Sequence, residues 1–546
     1  MARYLHWYND KEDFEENYWG GNYVEPWVSI TVDGEKRQTD FDRKDYKELF
    51  KTPLTFEFSE GGEFYFYYDA ITDEYIKTVT YSLNGGPKVQ VTPTSENTIT
   101  VVVERGDVIQ VWGDNATYSH RINSSKNAYF FFGSDCEFEV KGNIMSLIRS
   151  NGFEKLFSFS RETTFSHLFF NCGNLSRADK LILPAIELTD RCYESMFAGC
   201  TSLSQAPELP ATTLADYCYG SMFKNCTSLS QAPELPATTL ADYCYCEMFW
   251  GCTHLATAPE LPATTLANNC YQYMFYDCRS LTSAPALPAT ALAGACYYRM
   301  FYGCASLTTA PELPATALTG GCYYNMFGNC ISLTSAPELP AMALVNYCYQ
   351  YMFQGCTSLT TAPELPAITL ARGCYQYMFY DCISLTSAPS LPATILAQDC
   401  YYNMFRGCTS LTQAPELPAT TLVYGCYDTM FYGCTGLTSA PALPATTLVE
   451  SCYRNMFYGC TSLTTAPELP ATTLADYCYN SMFNGCRNLN YVKCLATNIS
   501  ASNALQYWLS DVSTTGTFVK AASMSSWPTG VSGIPNNWTV ESYTLS

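Results

Sequence analysis

The feature that most constrains the fold of this chain is a repeat with an invariant period of 26 residues. A motif of the form CYxxMFxxC ends at Cys200, Cys226, Cys252 and onward to Cys486, so twelve units follow one another without an insertion. A degenerate unit, LFFNC at 168–172, precedes them, and two stretches, 201–219 and 227–245, are identical. Such rigid spacing predicts a solenoid in which each unit packs mainly on its two neighbours.

Each unit is predicted to contain one short helix. In the unit 213–238, Leu214, Cys218 and Met222 are four residues apart, as are Tyr219 and Phe223. Side chains spaced in this way share one face of a helix, so the segment TLADYCYGSMF is predicted to be helical and amphipathic. The helix is predicted to end at the position of Asn225, where most other units have glycine, which suits a left-handed C-cap.

The second half of each unit, TSLSQAPELP, is predicted to be extended. It is too short and too rich in proline for a helix, but it fits a segment of three or four extended residues. Proline is tolerated there where no ladder needs its missing N–H group. The unit is therefore predicted to alternate a strand face with a helical face.

The repeat resembles a known family. The pattern MFxGCTSLTxAPELPATTLxxxCYxxMF is similar to the BspA-like leucine-rich repeats of bacterial surface proteins, and the resemblance covers about residues 165–490. The order MF, GC, SL recurs from Cys200 onward, with Gly replaced at Asn225, Asp277, Asn329 and Asp381 and Ser replaced at positions such as Gly436. The APELP segment departs from the aliphatic residues more usual in the family. The resemblance implies an α/β leucine-rich-repeat-like solenoid of about 13 units.

The sequence before the repeats predicts a different structure. Residues 53–141 alternate apolar and polar residues in eight short runs, among them LTFEF, EFYFYY and TITVVV, with turn signals such as NGG between them. This period of two predicts an all-β sandwich over 51–142, and makes the whole chain α+β. The aromatic-rich residues 1–50 are interpreted as an arm that docks to a partner, with candidate docking residues Trp7, Tyr8, Trp19 and Trp27.

Two further segments are expected to close the ends of the solenoid. Residues 143–164 are predicted to be a linker and N-terminal cap of the repeats at 165–489, and residues 490–546 a C-terminal cap. A solenoid needs such caps because its terminal units otherwise expose an apolar face. The order of arm, sandwich, linker, repeats and cap resembles architectures carried by gut Bacteroidales and their phages, which implies a virion fibre or appendage.

The repeated cysteines are interpreted as core residues. Cys270 and Cys278 lie eight residues apart, roughly 12 Å along a helix, which is too far for a disulfide. The spacing is not that of a zinc knuckle, the chain has only four histidines, and a catalytic thiol would be a single residue with a histidine partner. Disulfides between neighbouring units are conceivable, because equivalent positions are expected about 5 Å apart.

Variation between units points to a candidate binding surface. The two residues after each CY and after each MF change freely, and many are aromatic or basic. One interpretation is a solvated helix face, and the other is a ligand-binding stripe about 60 Å long. The candidate residues are Trp250, Tyr273, Tyr276, Tyr298, Tyr302, Tyr351, Tyr377, Tyr380, Tyr402, Arg406, Tyr432, Arg454 and Tyr458.

A second row on the strand face is acidic. It consists of Glu208, Glu234, Glu260, Glu312, Glu338, Glu364, Glu416 and Glu468. Carboxylates stacked about 5 Å apart repel one another, so a solvated edge is expected in preference to a cation site.

Composition narrows the classes of function. The net charge of −21, from 29 basic and 50 acidic residues, argues against binding to nucleic acid or to an anionic membrane. No apolar run is long enough to insert into a membrane, and the N-terminus lacks the apolar segment of a signal peptide, so the chain is expected to fold in the cytosol. No catalytic set, metal site or cofactor motif stands out, so we expect a non-enzymatic protein without a cofactor.

Three functions remain from the sequence. The first is a virion fibre or appendage, with the N-terminal region bound to other virion proteins and the repeats bound to a host surface glycan or protein. The second is a bacterial cell-surface adhesin, and the third a structural decoration protein without a ligand. A homo-oligomer is compatible with each of them.

Overall fold

The computed structural model of the protein describes residues 48–70, 73–123 and 126–543, and also the backbone of three strands in the predicted N-terminal arm. These strands form an antiparallel sheet and are β1 (Tyr4–Leu5), β2 (Ser29–Val32) and β3 (Glu35–Gln38). The four candidate docking residues Trp7, Tyr8, Trp19 and Trp27 lie outside the described residues, so their role stays a prediction.

The next part of the chain is mostly β, as predicted. Its strands are β4 (Leu54–Phe58), β5 (Gly62–Asp69), β6 (Val79–Leu83), β7 (Val89–Val91), β8 (Ile99–Val103), β9 (Val108–Gly113), β10 (Ser119–Asn123), β11 (Lys126–Ser134) and β12 (Phe138–Asn143). One 3₁₀ helix, Asp73–Tyr75, lies between β5 and β6. The sequence did not predict β10, because SHRIN lacks an alternating apolar pattern.

These strands form two sheets with an aromatic core. The first has the order β10-β11-β5-β8, and the second contains β12-β4-β9-β6-β7. Alternation along β5 buries Phe64 and Phe66. The ring of Phe56 on the second sheet lies 4.6 Å from that of Phe64 and 4.9 Å from that of Phe132. Ring edges and faces at such distances hold the two sheets together.

The second sheet continues into the repeat region. Strand β13 (Leu175–Ile182) pairs in parallel with β12, after two 3₁₀ helices at Ile144–Leu147 and Phe153–Lys155. Asn143 caps the first of these helices, since its side chain accepts a hydrogen bond from the Met145 N–H. The predicted linker 143–164 thus contributes buried side chains to the core, among them Ile144 and Leu147. The predicted domain boundaries themselves stay predictions.

The prediction of a helix in each repeat is wrong. Residues 183–490 contain no helix and no strand. In the unit 213–238 the chain makes successive four-residue turns, with Tyr217, Ser221 and Asn225 in the left-handed region at φ of 56°, 53° and 60°. A helix needs right-handed dihedral angles at every residue. The left-handed conformation predicted for the position of Asn225 is present, but it closes a turn and does not cap a helix.

The backbone hydrogen bonds explain how this turn side is held. Every second N–H bonds within the turn, as from Met222 to the Tyr219 carbonyl at 3.2 Å. The N–H groups between them donate to the next unit, as from Tyr219 to Cys244 at 3.1 Å and from Phe223 to Met248 at 2.9 Å. Buried backbone groups need such partners. The units are therefore stacked in parallel through their backbones, as a solenoid requires.

The predicted strand face is reduced to single bridges. Parallel bridges join equivalent residues on either side of PELP, for example Gln231 to Thr257 and Thr213 to Thr239. The intervening prolines lack the N–H that would extend these bridges into a ladder. The extended segment therefore follows the neighbouring unit without becoming a strand.

The interpretation of the cysteines as core residues is confirmed. All 28 are free thiols, of which 27 are buried and only Cys246 is half-exposed. They pack beside buried ring columns, in which Tyr219 and Tyr245 lie 5.9 Å apart and Phe223 and Phe249 lie 5.7 Å apart. The Cys226 thiol donates to the Phe197 carbonyl at 3.1 Å, and its equivalents repeat this bond along the array. The second cysteine of the motif thus links each unit to the one before it.

The C-terminal residues form a parallel sheet. It consists of β14 (Tyr491–Cys494), β15 (Thr517–Ala521) and β16 (Thr539–Tyr543). The ring of Trp508 stacks on Tyr479, the last tyrosine of the buried column, at 6.4 Å, and its Nε1 donates to Gly533 at 2.9 Å. The role of residues 490–546 as a C-terminal cap stays a prediction. Over the described ranges, no helix has the length and apolar character to cross a membrane.

Candidate functional site

The candidate binding residues lie together on the turn side of the array. These thirteen predicted residues are contacted by two further ones, Arg299 and Tyr324, and the fifteen together are called the aromatic stripe. All fifteen are half-buried. The residues are Trp250, Tyr273, Tyr276, Tyr298, Arg299, Tyr302, Tyr324, Tyr351, Tyr377, Tyr380, Tyr402, Arg406, Tyr432, Arg454 and Tyr458. Half-burial means that the side chains support one another, which a fully solvated face would not do.

The turn backbone fixes the direction of these side chains. One row of the stripe occupies left-handed positions, with φ of 55° at Tyr273, 51° at Arg299, 60° at Tyr351 and 56° at Tyr377. For residues other than glycine this conformation costs roughly 1–2 kcal/mol each. The hydrogen bonds between units hold it in place, for example from the Arg299 N–H to the Tyr324 carbonyl at 2.9 Å. The stripe is therefore built on a rigid support.

The first part of the stripe is a cluster of stacked rings. Tyr276 stacks on Tyr302 at 4.8 Å with an angle of 11° between the rings, and Tyr298 on Tyr324 at 4.6 Å with an angle of 6°. Trp250 lies 4.4 Å from Tyr276 and extends this cluster toward the N-terminus. The spacing of the rings is close to the 5 Å expected between equivalent residues of stacked units.

The second part of the stripe, from Tyr351 to Tyr458, is also built from stacked rings. Tyr351 stacks on Tyr377 at 4.4 Å, and Tyr432 stacks on Tyr458 at 4.5 Å. The Arg406 guanidinium lies 4.5 Å from the Tyr432 ring and 5.5 Å from the Tyr380 ring. The contact of Tyr324 with Tyr351 joins the two parts, and the contact of Tyr377 with Tyr380 continues the stripe within the second part.

The stripe residues do not extend along every unit of the array. From Trp250 to Tyr458 it crosses eight steps of 26 residues, or about 40 Å at the spacing of neighbouring strands, against the expected 60 Å. Parallel rings at 4.4–4.8 Å also cover one another's faces. The stripe therefore offers a ligand mainly ring edges and hydroxyl groups, which suit hydrogen bonds more than ring stacking.

Two residues of the stripe, Tyr324 and Arg299, were not predicted from the sequence. Tyr324 was overlooked because the residue four positions later is Gly328, so it belonged to no aromatic pair. Arg299 was overlooked because only tyrosines were taken from its row. A search for any basic residue in the variable rows would have found it.

Arg454 is held by the protein itself. Its Nη2 lies 2.6 Å from Asp428 Oδ2, and the Thr429 hydroxyl donates to Asp428 Oδ1 at 2.6 Å. The Asp428 side chain is 3% exposed, and burial raises the pKa of its carboxyl group although Arg454 counteracts the rise. The main role of Arg454 is therefore to neutralise the buried carboxylate of Asp428.

Replacing Arg454 by methionine is expected to destabilise the protein in a pH-dependent way. Removing one partner of a buried ion pair costs about 3–5 kcal/mol, and partial exposure of Arg454 reduces this to about 2 kcal/mol at pH 7. The folded pKa of Asp428 lies above its unfolded value, so protonation favours the folded state and the loss shrinks near pH 4. Urea unfolding of wild type and R454M at both pH values measures the difference. In the double variant D428N/R454M the pH dependence of that difference should vanish; its persistence would contradict the assignment.

The row of glutamates is solvated, as expected. All eight side chains are exposed, and Glu468 pairs with Lys493 at 3.1 Å. Among the described residues, no group of three or more His, Cys, Asp or Glu side chains has the arrangement to hold a metal ion.

One protein family matches part of the repeat region. The family described as BspA type leucine-rich repeat region matches in six copies, over residues 243–360, 268–412 and 374–510. No curated protein matches the chain. A solved structure, titled "Crystal structure of TLR13-ssRNA13 complex", aligns at 15% identity with a TM-score of 0.23 over 63% of this chain. The chain spans about half of that protein, 47% of its length, and so low a score supports no statement about fold or ligand.

Proposed function

We propose, from a repeat region of the BspA leucine-rich-repeat type, that the protein is a non-enzymatic recognition protein whose aromatic stripe binds a surface glycan or protein. The observation that carries the proposal is the contrast between two sets of positions in one array. Core positions such as those of Tyr219 and Phe223 are invariant and fully buried. The positions of the stripe vary from unit to unit and share one accessible surface.

The chemistry of the stripe supports recognition. Tyrosine, tryptophan and arginine are the residues that dominate binding energy at interfaces, because they combine a large contact area with hydrogen bonding. The rings are already ordered by stacking, as between Tyr351 and Tyr377 at 4.4 Å. Binding then costs little further side-chain entropy. A solvated structural surface has no need of such order.

Two tyrosine substitutions test the proposal. We expect the full chain to retain target cells or their purified surface polysaccharide. Retention should be at least about tenfold weaker in Y302S/Y432S, since a hot-spot residue contributes about 2 kcal/mol or more. The matched control is Y491S/Y507S, which alters two exposed tyrosines outside the stripe. Equal retention by both variants would contradict the stripe as binding site, and no retention by wild type would favour a decoration protein without a ligand.

The site of attachment is a separate proposal. We propose that the N-terminal region binds other virion proteins and presents the repeats from a phage particle, which rests on the resemblance of the whole architecture to phage and Bacteroidales proteins. The family match of the repeats also supports a bacterial cell-surface adhesin. Mass spectrometry of purified particles and of bacterial envelope fractions separates these. Recovery in the envelope and its absence from particles would overturn the virion assignment.

A further inference from the structure

The basic residues of the turn side differ in their counter-charges. Lys224 pairs with Glu247 at 2.7 Å, Arg191 with Glu194 at 2.5 Å, and Arg454 with Asp428 at 2.6 Å. Arg299 has no carboxylate within ion-pair distance among the residues that the structure describes, although acidic residues outnumber basic ones 50 to 29 in the chain. An unpaired arginine in so acidic a protein is conspicuous.

The environment of Arg299 is aromatic. Its guanidinium carbon lies 5.6 Å from the ring centres of Tyr298 and Tyr302 and 5.7 Å from that of Tyr324. Such cation–π contacts compensate part of the lost hydration of the charge. The Nε–H of Arg299 is buried and donates to no acceptor. The Oδ1 of Asn325, the next residue along its row, is also buried and accepts from no donor. The centre of the cluster thus holds a cation that the protein itself leaves incompletely satisfied.

The missing counter-charge of the Arg299 guanidinium indicates which chemical group a ligand would present to it. A partly buried charge without a counter-ion is unfavourable, whereas a carboxylate binds a planar guanidinium through two parallel hydrogen bonds. A ligand at the surface can form them only with the two Nη groups of Arg299, because Nε is enclosed by the protein. On this basis, and resting on the proposed function of the stripe, we propose that Arg299 is an anion-recognition residue that binds the carboxylate of an acidic saccharide.

A saccharide fits the surroundings better than an acidic peptide. The side chains around Arg299 present tyrosine hydroxyls and ring edges, and the Asn329 amide donates to the Tyr302 hydroxyl at 2.7 Å. Neutral hydroxyl groups of a sugar match these donors and acceptors. Among the described residues a second arginine, Arg406, also lacks a carboxylate within ion-pair distance, although its charge counteracts the rise in the pKa of the nearby Asp381. It lies about four units further along, or about 20 Å at the spacing of neighbouring strands. A saccharide carboxylate can contact either of them, and because the chain carries a net charge of −21 this recognition has to be local to the arginines and not an attraction by the whole protein.

The test compares carboxylated saccharides with neutral counterparts. The probes are polygalacturonate, hyaluronate and polysialic acid, each paired with its carboxyl-reduced form, and binding to the full chain is measured by calorimetry at low and high salt. We expect at least one acidic probe to bind at least tenfold more tightly than its reduced form, and R299Q to abolish this preference. R299K should restore part of it, because lysine keeps the charge without the planar fork.

The matched control is the variant R279Q. R279Q removes the same charge from an arginine whose side chain is 66% exposed and lies 3.8 Å from Asp277, and it should bind as wild type does. The proposal is overturned if no acidic probe is preferred, or if R299Q keeps the preference. Should neutral probes bind and Y302S/Y432S lose them while R299Q does not, the anion site fails and the proposed function stands. If neither variant changes any binding, both fail.

Discussion

Replacing Phe301 by alanine is expected to lower the free energy of unfolding by about 3–5 kcal/mol, the range for deletion of a buried aromatic ring. Phe301 is fully buried and stacks between Phe275 and Phe327, each 5.6 Å away with ring angles of 5° and 4°. Backbone hydrogen bonds between units fix the spacing of the column, so the neighbouring rings cannot close the cavity. The loss therefore includes the contacts on both ring faces.

Urea unfolding of the full chain measures this effect. The control is Y302A, which removes the next ring in sequence but from the half-buried stripe, and it should cost about 1 kcal/mol, the median for single substitutions. Because each unit contacts mainly its neighbours, the loss is expected to appear as earlier opening of the units around Phe301. A cost below 1 kcal/mol for F301A, or equal costs for both variants, would contradict the stacked core.

Reaction of the thiols with an alkylating reagent is expected to be at least about a thousandfold slower in the native protein than in denaturant for all cysteines except Cys246. Opening a buried segment costs several kcal/mol, and only the thiolate reacts. Burial raises the pKa of the Cys322 thiol to about 11 and that of Cys356 to about 12, so few thiolates form near pH 8.

Mass spectrometry after brief labelling resolves the individual sites. Cys246 serves as the internal control because it alone is partly exposed, although burial raises the pKa of its thiol as well, so that its faster reaction rests on access of the reagent. Full labelling of all 28 cysteines in denaturant confirms that none was oxidised. Native labelling of several core cysteines as fast as Cys246 would contradict their burial.

The helix prediction failed for a definable physical reason. Spacings of four residues, as at Leu214, Cys218 and Met222, occur in a helix of 3.6 residues per turn and equally in a series of four-residue turns. What separates the two is the left-handed residue that closes each turn, and in this array it is more often a residue such as Tyr217, Ser221 or Asn225 than glycine. Nothing in the local propensity of tyrosine or serine signals φ above zero.

Other features could be predicted because they depend on the repeat alone. Equivalent residues of stacked units must lie about 5 Å apart, and the rings of Phe223 and Phe249 are found at 5.7 Å. Invariance between units identified the core, and variation identified thirteen of the fifteen stripe residues. The unpaired state of Arg299 was not predictable, because it depends on which carboxylates the other rows bring near, as Asp428 is brought to Arg454.

Tyrosine footprinting with and without bound target polysaccharide tests the central claim most directly. The full chain is treated with a reagent that modifies accessible tyrosines, and the sites are read by mass spectrometry. If the stripe is the binding surface, Tyr302, Tyr380 and Tyr458 become protected on binding, while Tyr491 and Tyr507 react as before. Protection confined to residues outside the stripe, with unchanged reaction of these three tyrosines, would contradict the account.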